Sequence, residues 1–563
     1  MRVKWTVILV KYLPILFFCK KTFLLYAIIW LLISIFTAMK RIKIYFNIFL
    51  ALLCLSFVLI SCGGGKGVAA KKSFEIGEYD RAQKMFDKAY KAEKNRYHKG
   101  EYAYYLAECY RLKGLYKKAA STYNRAIRYK YDRDLAYLQM GDCYRAVGDY
   151  ENAREAYKTY LSLSSGSLLA RNGLVSCDLA EPLYPSMSEY DYDVIPDSGY
   201  VIAPAKQFNS KYSDYSPAFV GEDYDVVYFT SMRLPKKRKK TNRITGQGNS
   251  NIYMSKIDGS GEWTDPESLD EPFGQQIDDG TPSLTPDGKT MFFTRCPYDA
   301  SKPNVAECYE IKRSGGRWGE PVRIIPGGDS TMMVAHPAIS PDGNELFFVS
   351  DREGGIGGKD IYVTYRNTDG TWGEAENLGA MINTQGDELF PYVRDNGQLY
   401  FSSNGHPNYG GYDIYKAVKN EGGRYIVSNM GLPINSHFDD FGILFEGNKE
   451  RGYFCSNRGN SKGVDNIYSF ELPEVVLSLE MVVGSAEEKP LDKVVVRVIG
   501  SNGSNEKLRP TEEGLVAMYL DNDVDYLVLC TAKGHINKKL TISTVGKRKS
   551  EVIKLKVDLE PIK

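Results

Sequence analysis

Histidine is scarce in this chain of 563 residues: there are five, His98, His336, His406, His437 and His535, and no two stand at metal-ligand spacing. The chain also lacks His-Glu-x-x-His, a Cys-x-x-Cys pair and Gly-x-Ser-x-Gly, which removes the common signatures of zinc peptidases, zinc ribbons and nucleophile elbows. The GGGKG at 63–67 has neither the full spacing nor the Ser/Thr of a phosphate loop and reads as a tether. Acidic side chains are missing from the first 61 residues, which carry eight basic ones. Beyond them, 64 of the 72 Lys and Arg remain against 70 Asp and Glu, so the body of the chain carries −6 rather than the overall +2. A mildly acidic body argues against a nucleic-acid partner, which would call for a basic face. No catalytic residue, metal site or cofactor is expected.

What is present is the composition of folded protein: 43% apolar, 25% charged, 42 tyrosines, and a length that suggests three or four domains. The apolar residues of the amino terminus fall into three runs, roughly 7–18, 23–38 and 42–61. The third follows MKRIK at 39–43, a basic n-region before an apolar h-region, and ends Leu59-Ile60-Ser61-Cys62. That ending resembles the lipobox of bacterial lipoproteins. The resemblance implies acylation of the Cys62 thiol, removal of what precedes it, and anchorage in outer-membrane lipid on the periplasmic side. On this reading Met39 is the functional start. The competing readings are a buried apolar-segment cysteine, and an inner-membrane protein spanned by residues 7–38, although each of those two runs is short for a span.

After residues 62–68 as a lipidated tether, residues 69–182 show helical periodicity and an internal repeat. GEYDRAQKMFDKA (77–89), GLYKKAASTYNRA (114–126) and GDYENAREAYKTY (148–160) place glycine at Gly77, Gly114 and Gly148, tyrosine at Tyr79, Tyr116 and Tyr150, and alanine at Ala82, Ala119 and Ala153. Period and pattern resemble tetratricopeptide repeats. In that arrangement glycine permits close approach, alanine the helix crossing, and the aromatics fill the gaps between helix pairs. Cys109 and Cys143 read as small buried residues. The surface is either a spacer or a concave groove for a peptide or partner helix. Residues 183–200 read as a linker.

In 201–472 the period changes to two. VVYFTS (226–231), TMFFTR (290–295), ELFFVS (345–350), QLYFSS (398–403) and RGYFCS (451–456) recur about every 53 residues, with a longer first spacing. Such units cannot close their own edges, and radial repetition is the general solution. The modules resemble TolB-type, WD40-like propeller repeats, implying an all-β propeller of five blades, with room for a sixth. Cys296 and Cys308 flank an insertion in the second module; a disulfide between them and two free thiols are equally open. Trp263, Trp318 and Trp372 read as edge caps rather than sugar platforms. The acidic pairs Asp278-Asp279, Asp387-Glu388 and Asp439-Asp440 read as structural, with calcium as the minor alternative.

Residues 473–563 alternate short strands with Gly, Asn and Asp turns and resemble the carboxypeptidase regulatory-like domain, an accessory β-sandwich. The fold class expected is therefore multidomain: helical solenoid, propeller, sandwich. Lipobox, solenoid, propeller and sandwich in this order resemble the PorE-type outer-membrane lipoproteins of the type IX secretion system. The resemblance implies a non-catalytic periplasmic scaffold, with PorK/PorN-like ring subunits as protein partners. It stops where that family's OmpA-like domain would begin, so peptidoglycan binding is carried by no residue here. The alternative is a sensor or uptake accessory whose propeller binds glycan or peptide. A cluster of aromatics at one propeller mouth would favour it.

Overall fold

The computed structural model describes residues 67–131, 134–181, 199–234, 241–273, 277–299, 303–328, 330–459, 462–485, 491, 493–547 and 549–562. Cys62, the apolar runs of 1–61, most of the tether and all but the end of the linker lie outside them. From Ala70 to Lys563 the chain forms one compact unit.

Helical residues 70–75 are followed by α1 (Tyr79–Ala92), α2 (Arg96–Arg111), α3 (Tyr116–Arg128), α4 (Leu135–Arg145), α5 (Tyr150–Leu163) and α6 (Leu168–Ala180). Consecutive helices pack on one another in a solenoid. Side-chain caps start three of them: Asn95 accepts from the N–H groups of Tyr97 and His98, Asp149 from Asn152, and Ser167 from Ala170. Ala82, Ala119 and Ala153 have no exposed surface, and Phe86, Tyr123 and Tyr157 fill the space beside them. Tyr157 is seated because two helices thin out around it: a Cβ on Gly141 or Gly173 would lie 2.7 or 2.5 Å from its ring. Cys109 and Cys143 are buried in the same cores.

The repeated glycines serve a different end from helix approach. Gly77, Gly114 and Gly148 sit in the turns between paired helices with φ of 83°, 66° and 73°, a left-handed conformation that other residues adopt at a cost.

Five antiparallel sheets follow. The first comprises Asp214–Phe219, Val226–Ser231, Asn251–Lys256 and Glu267–Ser268; the second Asp278–Leu284, Thr290–Cys296, Glu307–Ser314 and Val322–Ile324, with Arg317–Trp318 paired to its third strand. The third comprises Ala335–Ile339, Glu345–Ser350, Asp360–Tyr365 and Glu376–Asn377; the fourth Glu388–Val393, Leu399–Ser403, Asp413–Lys419 and Tyr425–Asn429. The fifth takes Asp440–Phe445, Arg451–Ser456 and Asn466–Glu471 from its own stretch, and its outer strand, Val201–Pro204, from before the first sheet. The opening strand of each sheet touches that of the next, and that of the fifth touches that of the first. No sixth sheet lies among the described residues of this region. The long first spacing is instead taken up by the loop after Ser231, which reaches the solenoid through Arg243 and Ile244.

The carboxy-terminal region has two sheets, Leu515–Leu520, Leu477–Ser485 and Glu551–Leu559 in one, and Asn505–Leu508, Val495–Gly500, Asp525–Thr531 and Lys538–Ser543 in the other. Leu479, Met481, Val496, Val528 and Val557 from both form one apolar core. Glu551–Leu559 runs parallel to Leu477–Ser485.

Candidate functional site

Each opening strand of the five sheets is broken at one register position by a β-bulge. The bulged residues are Ser216, Thr281, His336, Phe390 and Gly442, with φ between 47° and 61°. For the four that are not glycine this backbone is unfavourable by about 1–3 kcal/mol. Proline follows in four of them, Pro217, Pro282, Pro337 and Pro391; it donates no N–H to the ladder and so suits a place where the ladder is interrupted. What holds the bulges is the neighbouring sheet. The Thr281 N–H donates to Thr230 Oγ1 (2.8 Å), that of His336 to Thr294 Oγ1 (2.9 Å) and that of Ser216 to Cys455 Sγ (3.1 Å). The polar endings of the repeated FTS, FTR and FCS strands are thus the acceptors that join one sheet to the next. In the third sheet Val349 occupies that register, and the Phe390 N–H turns to His336 Nδ1 at 3.4 Å.

All five bulged residues line one cavity of about 680 Å³, walled also by Phe219, Tyr224, Tyr392 and Phe445. His336 stacks on Phe390 with centroids 4.0 Å apart, and burial pushes its imidazole down to about 3, so the ring is neutral. No Lys or Arg lines this cavity.

The other end of the opening strands meets the solenoid. Tyr116 donates to Asp439 Oδ2 (2.7 Å), Tyr150 to the Tyr409 carbonyl (2.8 Å), Asn172 to the Gly405 carbonyl (2.8 Å), and the Asn408 N–H donates to Ser176 (3.0 Å). At the first repeat Arg243 and Tyr298 both donate to Glu78 Oε1, at 3.0 and 2.6 Å. The second and third repeat tyrosines therefore dock the solenoid on the sheets. A second cavity, about 390 Å³, lies in this seam between Arg111, Lys113 and Arg145 on one side and Lys359, Asp387 and Asp439 on the other. Asp439 also accepts from Asn457 (2.6 Å), and burial raises its carboxyl above the usual range.

The acidic pairs divide their work. The second member of each ties its own sheet: Asp279 to Arg295, Asp440 to Arg458, and Glu388 to Ser403 at 2.6 Å. Of the first members, Asp387 and Asp439 line the seam cavity, while Asp278 is held by a loop of its neighbouring sheet. Asp278 accepts from Asn242 and the Ser250 N–H; Asp387 pairs with Lys359 and accepts from Tyr412. Arg233, Arg295, Arg352 and Arg458 each lie 4.8–5.5 Å from a Phe and a Tyr of successive strands in their sheet. In the fourth sheet His406 takes that place, between Phe401 and Tyr415.

Cys296 and Cys308 stand as free thiols, one of the two readings the sequence leaves open. Cys308 stands opposite Thr294, two residues before Cys296, so the ladder sets the two cysteines diagonally rather than face to face. Among the described residues no three His, Cys, Asp or Glu are grouped to hold a metal, and no helix is long and apolar enough to cross a membrane. Trp263, Trp318 and Trp372 pack on Phe208, Tyr228 and Phe292 at the sheet edges.

Residues 70–134 and 135–166 each match a tetratricopeptide repeat family. No curated protein matches the chain. Among solved structures it is similar to an endo-arabinase from Bacteroides thetaiotaomicron (18% identity, TM-score 0.32, 47% of this chain and 95% of that one). It is also similar to an α-L-arabinofuranosidase from Lactobacillus brevis (14%, 0.30, 47% and 93%), and to a protein of unknown function from Dyadobacter fermentans (13%, 0.30, 61% and 98%).

Proposed function

We propose that this chain is a non-catalytic binding protein, tethered to the outer membrane by lipid on Cys62, whose five sheets form the blades of a propeller that takes a peptide or glycan at its open mouth. The carboxy-terminal sheets are read as the accessory sandwich. The observation that carries the proposal is the cavity walled by Ser216, Thr281, His336, Phe390 and Gly442: all five sheets contribute to it, and its aromatic wall lies at the end away from the solenoid. A cavity of this size with a few polar groups among aromatics and prolines is the usual form of a ligand site. His336 does not act as a base in this reading: its ring is neutral and stacked on Phe390, and its Nδ1 accepts from the Phe390 N–H. The test is binding of the purified chain to peptide and glycan arrays, repeated with Phe390→Ala and Tyr392→Ala. Binding of at least one class that both substitutions weaken is expected; an absence of binding, or binding that neither changes, overturns the reading. For the anchor, Cys62→Ser should abolish metabolic labelling by a palmitate analogue and release the chain from the membrane fraction.

A second reading, the type IX secretion scaffold, draws support from the seam. The solenoid is fixed to the sheets through polar contacts at all three repeats, as suits a rigid adaptor. Gentle cross-linking followed by capture should then recover PorK/PorN-like ring subunits; recovery of the chain alone would sink it.

A further inference from the structure

The charged side chains that line the open mouth are all acidic. Glu222 and Asp395 line the cavity itself, and a shallower depression continuous with it is bordered by Glu222, Asp223, Asp287 and Asp342. All five carboxylates are exposed, and they stand on the turns joining the first and second strands of the first four sheets. Neither depression has a Lys or Arg in its lining.

The cations of the neighbouring turns are engaged elsewhere. Arg394 is buried against Phe445, pairs with Glu450 at 2.7 Å and donates to the Gly447 and Lys449 carbonyls. Lys449 and Arg451 pair with Glu446. Among the described residues, Lys289 alone forms an ion pair with a rim acid, its Nζ 3.8 Å from Asp287. Asp287 and Asp342 are held ionised by hydrogen bonds within their turns, from Thr285 and the Lys289 N–H to the one and from Ser340, Asn344 and the Asn344 N–H to the other. Tyr224, on the cavity wall, registers the result: its phenol is pushed up by burial and then by Asp395, Glu222 and Glu446.

An acidic rim by itself would be no more than a solvated surface. Here it surrounds a cavity of about 680 Å³ whose wall is aromatic, through Phe219, Tyr224, Phe390 and Tyr392. Carboxylates above aromatic faces are complementary to a cation on an apolar stem: the charge meets the rim, the stem covers the rings, and a cation over a ring face gains about 0.5–2 kcal/mol more. An anionic glycan or an acidic peptide would meet repulsion on the same path.

From these features we infer that the mouth is built for a basic peptide segment, one that lays a Lys or Arg side chain against the aromatic wall beneath Glu222 and Asp395. This inference rests on the mouth being the binding site, and it names the ligand's chemistry. The probes are fluorescent pentalysine, pentaarginine and pentaglutamate peptides and a neutral Gly-Ser peptide, titrated into the purified chain at low and high salt. Glu222→Gln with Asp395→Asn is the test variant, and Glu512→Gln in the carboxy-terminal region is the control. The cationic peptides should bind and the others should not. Binding should weaken about tenfold in the double variant and fall with salt, while the control is unchanged. Carbodiimide should link the pentalysine amine to Glu222 or Asp395. Cationic binding that ignores the double substitution, or cross-links mapping elsewhere, overturns the inference. Binding of the neutral peptide or a glycan in a manner sensitive to Phe390→Ala overturns it while leaving the binding-protein reading intact. Loss of all mouth-dependent binding removes both.

Discussion

Tyr116 and Asp439 are 323 residues apart in sequence and 2.7 Å apart in space, phenol to carboxylate, in the seam between the second helical repeat and the fifth sheet. The carboxylate is buried and shares its charge with Asn457 and the Tyr412 N–H. One hydrogen bond of this kind, to a charged acceptor away from water, carries more weight than its number suggests, because its loss leaves the charge short of a donor.

Tyr116→Phe should therefore destabilise the folded unit by about 1.5–3 kcal/mol, read as a lower midpoint in urea unfolding. Solenoid and sheets should unfold in one transition in the wild type. Two separate transitions there would show that the seam does not couple them.

The close approach at Gly463 gives a steric counterpart. A Cβ there would lie 2.6 Å from the Lys113 carbonyl oxygen, and its φ is 64°. Gly463→Ala should cost about 1–3 kcal/mol and expose the seam to proteolysis. Unchanged stability and cleavage would mean that the seam relaxes.

Asp413 supplies a pH dependence. Its Oδ2 accepts from Asn429 and the Tyr409 N–H, while Oδ1 is buried without a partner, and burial pushes the carboxyl up to about 8. A folded value above the unfolded one near 4 means that the folded state holds the extra proton. The group's stabilisation is complete below pH 4 and is lost as pH rises through about 8. Asp413→Asn should flatten the decline between pH 4 and 8, measured as the difference in unfolding midpoint between variant and wild type. A parallel pair of curves would contradict it.

Thr294→Val removes the acceptor for the His336 N–H and should cost about 1–2 kcal/mol. Val349→Thr is the informative partner. From the third sheet it offers the Phe390 N–H of the fourth the acceptor that Thr supplies elsewhere, and should leave stability equal or raised, as thermal unfolding of the pair would show.

Cys296 and Cys308 should both be alkylated in denaturant without prior reduction, and mass spectrometry should find no peptide joining them. A linked peptide would restore the disulfide reading.

Helix and strand were legible because side-chain period reports burial on a single element. The 3.6 spacing of Ala82, Phe86 and Ala89 needs one buried face, and the short apolar run at 345–350, buried at five consecutive positions, is a strand covered on both faces. The bulges left a trace that motif reading passed over. A proline recurs at Pro217, Pro282, Pro337 and Pro391, each one residue past a position that contains a Ser, Thr, His or Phe, and such varied residues share no chemistry until the backbone puts them at one place. Gly77, Gly114 and Gly148 were recognisable as a repeat, yet their φ values, rather than helix contact, explain them.

The sequence by itself determined the order of helical repeats and strand modules, and the sign of the charge on the body of the chain, since both follow from local pattern and composition. Only the tertiary structure decided that Val201–Pro204 completes the last sheet, that the repeat tyrosines face Asp439 and Tyr409, and that Glu222 and Asp395 share one mouth with Phe390. Those pairings join stretches more than a hundred positions apart, and what selects them is the mutual closure of sheet edges and buried polar groups, a condition that no single stretch of sequence can express.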